Sequence, residues 1–160
     1  MPEDLRDIRP DDLEAVLALN QAWAPAVGDL DADGLRQLVE WSWWAVTTPA
    51  RDALMIVLPP GLPYASRNYR WVSARWRDML YIDRIAVAAD ARRRGTGRQM
   101  YAALTARARA AGVGRLTCEV NVRPPNPASL AFHARMGFRR TGIRADPDGR
   151  KAVAMLVRTL

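Results

Sequence analysis

Apolar residues recur along this chain with two different periods. Met79 to Val87 (MLYIDRIAV) and Leu116 to Val122 (LTCEVNV) are apolar runs of strand length. Gly97 to about Ala111 instead sets Met100, Tyr101, Leu104 and Ala108 on one helical face, and Gly112 ends that helix. Nearer the N-terminus, Leu5 to Arg9 reads as a short strand. Asp11 or Asp12 then caps a helix in which Leu13, Val16, Leu17 and Trp23 keep helical spacing, with Asn20 the polar exception. Gly28-Asp29 breaks it, and Asp31 to about Trp41 forms a second helix with Leu35, Leu38 and Val39 together. Ser42 to Thr47 and Ala53 to Leu58 read as a hairpin that Pro59-Pro60-Gly61 closes. Asn126 or Pro127 opens a fourth helix ending at Gly137. Phe138 to Arg144 and Lys151 to Val157 form a last hairpin around Asp146-Pro147-Asp148-Gly149. The order is β-α-α-β-β-β-α-β-α-β-β, an α/β chain expected to be a single domain over 1–160.

Residues 61–78 fit neither period. They hold Tyr64, Tyr69, Trp71 and Trp76 among four arginines. Loops of this length are uncommon. The stretch reads either as a packed ornament with a short helix or as a lid or wall of a pocket.

The chemistry concentrates at the junction of strand 79–87 with the long helix. Arg92-Arg93-Arg94-Gly95-Thr96-Gly97 lies between them. A glycine turn at a helix start presents free backbone N–H groups to one point, and the helix dipole and arginines add positive potential there. That is a site for a phosphate or pyrophosphate. No Gly-Lys-Ser/Thr is present, and position 100 is Met100 where a dinucleotide fold needs its third glycine.

Charge supports that placement. The net charge of +7 is unevenly spread: residues 1–63 carry 4 arginines against 11 acids, and residues 64–160 carry 19 arginines and one lysine, Lys151, against 6 acids. The half with the glycine loop is the half that attracts a polyanion. A nucleic acid would suit the same field, but no recognition motif accompanies it. The hydrophobic share is 49% and the charged share 26%, both values of a globular chain. The longest apolar run, Ala53 to Pro60, is too short to span a bilayer, and the opening residues hold no apolar signal core, so a cytoplasmic location is expected. One cysteine, Cys118, and one histidine, His133, exclude an internal disulfide and a typical metal ligand set. Cys118 sits in an apolar strand, where buried packing is expected of it.

At this point the chain resembles the GCN5-related N-acetyltransferases. Arg92-Arg93-Arg94-Gly95-Thr96-Gly97 is similar to that family's Arg/Gln-x-x-Gly-x-Gly/Ala loop. Asn126-Pro127-Ala128-Ser129-Leu130-Ala131-Phe132-His133 followed by Gly137-Phe138 is similar to its second motif, with His133 where most members have tyrosine. The resemblance implies a mixed central sheet of six to seven strands flanked by four helices, with parallel strands 79–87 and 116–122 splayed apart. It implies acetyl transfer from acetyl-coenzyme A, without a metal, to a primary amine of a small molecule or peptide in a ternary complex. Backbone groups of Ile85, Ala86 and Val87 would pair with the pantetheine amides, and the Val87 N–H would point at the thioester carbonyl. Loop 92–98 would hold the pyrophosphate, Arg93, Arg94 and Arg98 adding charge-assisted contacts. Asn126 would bond the pantetheine arm, Phe132 would pack against it, and Ser129 would share the helix face of Asn126 and His133.

Two proton movements need groups. Glu119 and Asp83 both stand as candidates for the base, against the plainer alternative of a strand carboxylate paired with Arg84 or Arg115. Asp83 shares its strand period with Ile85 and Val87. His133 reads either as the acid that serves the leaving thiolate in place of tyrosine, or as a packed helix histidine. An acyl-coenzyme A-binding regulatory or inactive relative is the alternative reading of the whole chain. A homodimer is common in such folds, though no residue demands one.

Overall fold

A computed structural model describes residues 4–160; Met1 to Glu3, part of the opening stretch discussed above, lie outside the described residues. Seven strands form one sheet in the order β1-β2-β3-β4-β5-β7-β6. They are β1 (Arg6–Asp7), β2 (Trp44–Thr47), β3 (Ala53–Leu58), β4 (Met79–Val87), β5 (Arg115–Arg123), β6 (Arg139–Ala145) and β7 (Ala152–Thr159). All neighbours are antiparallel except β4 and β5. The helices are α1 (Leu13–Ala22), the single turn α2 (Ala24–Val27), α3 (Ala32–Trp41), α4 (Arg67–Arg75), the short α5 (Ala89–Arg93), α6 (Thr96–Ala110) and α7 (Pro127–Arg135). The expected mixed sheet and element order are present.

Two cores lie on the two faces of this sheet. Leu80, Ile82, Leu116, Cys118 and Val120 pack with Met100, Tyr101 and Leu104 of α6 and with Phe138. Met79, Tyr81, Val153 and Met155 pack on the other face with Val16 of α1, Leu35 and Leu38 of α3, and Tyr69 and Val72 of α4. Strand β3 is buried along its whole length, which is why its six residues are continuously apolar rather than alternating.

Periodicity predicted neither the short α5 nor the helix in the stretch 61–78, α4. Ser66 caps α4 by accepting from the Tyr69 N–H at 3.2 Å. The buried Tyr69 hydroxyl donates to the Pro59 carbonyl at 2.5 Å and accepts from the Leu62 N–H at 2.9 Å, clamping the turn after β3. Both readings of the stretch hold in part, since α4 packs on the sheet and Tyr64, Ser66 and Asn68 line the cleft described below.

Asp12 also differs from expectation. It makes no side-chain cap bond for α1. Its buried carboxylate takes both Arg6 guanidinium nitrogens at 2.7 and 2.8 Å, Arg51 Nε at 2.6 Å and the Arg9 N–H at 2.8 Å. These bonds, Arg6 first, hold its carboxyl well below the usual carboxylate range despite burial.

Candidate functional site

The parallel pair β4–β5 is joined only at Met79–Tyr81 against Arg115–Thr117. The strands then part, and the cause lies on β4. Its register with β3 shifts between Arg84, opposite Ile56, and Ile82, opposite Val57, leaving Asp83 as the extra residue of a β-bulge. A bulge bends its strand and raises the local twist, so β4 turns away from β5 just beyond Tyr81. The opening leads into a cleft of ≈ 650 Å³.

The bulge also changes which residues share a face. Asp83 does not side with Ile85 and Val87 as strict alternation predicts. Ile85 and Val87 pack toward α6. Asp83 instead pairs with the adjacent Arg84, Nε to Oδ2 at 2.7 Å, both side chains buried. Arg84 Nη1 reaches the Asn20 Oδ1 of α1 at 2.9 Å and the Gly28 carbonyl at 3.4 Å. Asp83 is therefore the counter-ion of a buried arginine that anchors the α1–α2 segment over the cleft.

Ladder geometry decides which backbone groups face the opening. The Ala88 N–H donates to the Asp52 carbonyl at 2.8 Å, and Val87 stands opposite Ala53 in the same register. Hydrogen-bonded and non-bonded pairs alternate in an antiparallel ladder. The N–H and C=O of Val87 and Ile85 thus point away from β3 and into the opening, while those of Ala86 are spent on β3. Arg92 Nε donates to the Val87 carbonyl at 3.2 Å, and its guanidinium stacks 3.9 Å from the centre of the Trp23 ring.

At the mouth of the cleft, α6 begins behind Gly95, whose φ of +78° is the left-handed conformation that favours glycine. Gly97 has a different constraint. A Cβ there would stand 3.7 Å from Phe132 Cζ and 3.8 Å from Val87 Cγ2, so its hydrogen keeps the passage between α6, α7 and β4 open. Arg92, Gly95, Gly97 and Arg98 line the cleft. Arg93 and Arg94 do not: Arg93 lies on the exposed surface 3.7 Å from Asp90, and Arg94 bonds Asp52 at 2.7 Å, tying the loop to the β2–β3 turn. Thr96 is fully buried behind the loop. Asn126, Ser129 and Phe132 all line the cleft, and Asn126 Oδ1 caps α7 by accepting from the Ser129 N–H at 3.3 Å.

The two remaining candidates sit on opposite faces. Glu119, on β5, accepts from the Tyr81 hydroxyl at 2.7 Å through Oε1, and its buried Oε2 has no hydrogen-bond partner among the described residues. Burial pushes its carboxyl above the ordinary value, against the pull of the Tyr81 bond; the Asp83 charge pushes it further, and Lys151 draws it back. Arg115 is not its partner, since that side chain lies 3.4 Å from Asp78. His133 is buried on the α6 face. Its Nδ1 lies 2.7 Å from the Ser129 carbonyl, which can only accept, so Nδ1 carries the proton. Its Nε2 then accepts from the Tyr101 hydroxyl at 2.7 Å. Burial lowers the imidazole's affinity for a second proton. Cys118 is buried, and burial raises its thiol far above the ordinary value, in keeping with packing.

Tyr81 and Tyr101 were missed by sequence reasoning. Tyr81 precedes Asp83 by two on the same strand, a spacing that signalled a shared face. Tyr101 reads as ordinary helix core. Among the described residues no cluster of His, Cys, Asp and Glu is able to hold a metal ion, and no helix is long and apolar enough to cross a membrane.

Residues 64–138 match the model of the acetyltransferase (GNAT) family. Solved structures with the same fold include the ribosomal-protein-S18-alanine N-acetyltransferase from Escherichia coli, 21% identical, covering 98% of this chain and 93% of that one with a TM-score of 0.71. Ard1 from Thermoplasma volcanium is 18% identical over 100% and 99% of the two chains, with a TM-score of 0.76. A Bacillus subtilis acetyltransferase in complex with CoA is 17% identical over 98% and 97%, with a TM-score of 0.67. No curated protein matches the sequence. The glycine loop and the parted strands thus fall inside the segment that matches the GNAT family model, and the whole chain has the fold of these solved structures.

Proposed function

We propose that the chain transfers an acetyl group from acetyl-coenzyme A directly to a primary amine. The observation that carries this reading is the opening between β4 and β5, which joins the glycine-led start of α6 on one face to the buried Glu119 carboxylate on the other. The N-terminal end of α6, with Arg92 and Arg98, would hold the pyrophosphate. The outward N–H and C=O groups of Ile85, the Val87 carbonyl and the side chain of Asn126 would hold the pantetheine arm as an added strand beside β4, with Phe132 packed on it.

The amine would enter from the Glu119 side as an ammonium. Glu119 Oε2 takes its proton, directly or through one water. The nitrogen then bonds to the acetyl carbon. The Val87 N–H stabilises the negative charge that gathers on the carbonyl oxygen. The carbon–sulfur bond breaks, the sulfur leaves with the electron pair, and the surplus proton on the new amide nitrogen passes to the sulfur. In this reading His133 is a positioning residue. Both of its nitrogens are committed, and it holds the Tyr101 hydroxyl, whose proton is the one in the pair not bonded to a carbonyl. Asp83 is likewise assigned to positioning, through Arg84.

The test is a thiol-release assay with acetyl-coenzyme A against amines, amino acids and peptide N-termini, together with binding of acetyl-coenzyme A alone. Saturable thiol release that needs an amine supports the reading. Tight acetyl-coenzyme A binding without turnover on any amine would support a regulatory or inactive relative instead.

A further inference from the structure

The cleft contains charges that acetyl transfer itself does not use. Arg144 on β6 and Lys151, just before β7, both line it. Register puts them on the Glu119 side. Arg144 stands opposite Val153, and Val153 opposite Asn121, two residues along from Glu119. Val153 belongs to the core under α1, α3 and α4, and Lys151, two residues before it, shares its face.

Arg144 has a buried Nε with no hydrogen-bond partner among the described residues. Its guanidinium lies 5.5 Å from the centre of the Trp71 ring, which fixes its position without supplying an acceptor. A buried donor left unpaired is costly, and an incoming anion removes that cost. Of the nearby acids, Asp83 is paired with Arg84 and Asp29 accepts from Gln21; Asp146, exposed at the hairpin end, also lines the cleft but does not reach the buried Arg144 Nε. The cleft thus sets an anion, Glu119 on β5, against Arg144 on β6, two strand spacings away or roughly 10 Å between backbones, and Lys151 just before the intervening β7.

We propose that the acceptor is a primary amine that also carries a carboxylate, its ammonium set on Glu119 and its carboxylate on Arg144 and Lys151. The proposal rests on the acetyl-transfer reading of the same cleft. A site built for two charges discriminates strongly, because an acceptor lacking the carboxylate leaves the Arg144 donor unpaired. A free amino acid carries this chemistry, and so does a peptide N-terminus followed by an acidic residue.

Thiol release with matched acceptors tests it. One series pairs alanine, phenylalanine and glutamate with their carboxamides. The other pairs dipeptide amides bearing glutamate or glutamine in second place. In at least one series the carboxylate member should have a kcat/KM about tenfold higher or more. The series in which this occurs identifies the source. Arg144→Gln and Lys151→Gln should each shrink the preference, and Arg144→Lys should retain part of it. Equal rates within every pair, a preference for the amide, or a preference unchanged in both glutamine variants overturns the proposal and leaves acetyl transfer standing. Thiol release with none of these acceptors, by protein that binds acetyl-coenzyme A, overturns both.

Discussion

On the α6–α7 side of the β4–β5 opening, most groups facing the cleft come from two short stretches of chain, 85–101 and 126–133, and much of what they offer is backbone: helix-start N–H groups, strand-edge amides and a glycine passage. On the α1–α4 side, the cleft is made from side chains gathered from across the chain: Tyr64 and Asn68, the Asp83–Arg84 pair, Glu119, and Arg144 with Lys151. The first face suits a ligand shared by many proteins, whose phosphates and amides are read by the main chain. The second suits a ligand particular to this protein, read by charges in a buried setting.

The difference predicts variants that damage one face and spare the other. Gly97→Glu has the largest expected effect. It puts bulk and negative charge into the gap bounded by Phe132 and Val87, and should weaken acetyl-coenzyme A binding about 100-fold or more by calorimetry. Near-normal affinity would sink the loop assignment. Glu119→Gln should leave that binding intact while lowering kcat/KM about 10²- to 10⁴-fold, and should flatten the rise of rate with pH that titration of a raised carboxyl produces. Asp83→Asn strips the counter-ion from buried Arg84. We expect a loss of about 3 kcal/mol in stability by denaturant titration, with cofactor affinity retained in the folded fraction.

Smaller effects separate Tyr101 from His133. Tyr101→Phe should lower kcat more than it changes KM. His133→Phe should do the same through loss of the bond to Tyr101, and the double variant should lose no more than either single one. Additive losses would give His133 a role of its own. The smallest effect is on stability. Because the folded-state value for Glu119 is raised above 4.5, the native chain holds a proton there that the unfolded chain has released. Stability therefore falls as pH rises through that window, and Glu119→Gln should raise Tm at about pH 8 more than at about pH 4.

The same division explains what was legible in the sequence. The α6–α7 face is written in contiguous residues with special backbone needs, so Gly95, Gly97, Asn126 and Phe132 could be placed before any coordinates. Which arginine serves the cleft could not, because Arg93 and Arg94 turn away to Asp90 and Asp52 through contacts that spacing does not reveal. The bulge at Asp83 was equally hidden. One extra residue on β4 moves Ile85 and Val87 to the face opposite Tyr81 and Asp83, and nothing in MLYIDRIAV announces it. On the α1–α4 face, Glu119 was visible as a strand acid, but its bond to Tyr81 spans 38 residues, and the Arg144 and Lys151 subsite depends on β7 lying between β5 and β6. Helix α4 escaped periodicity because its buried residues, Tyr69 and Val72, are only two in nine.

The most direct measurement is a crystal structure with acetyl-coenzyme A bound. The account predicts the diphosphate at the N–H groups that follow Gly95, the pantetheine amides on the outward groups of Ile85 and the Val87 carbonyl, and the thioester carbonyl at the Val87 N–H with Glu119 across the opening. A ligand bound elsewhere on the chain, with residues 82–87 and 118–122 closed upon each other, would contradict it.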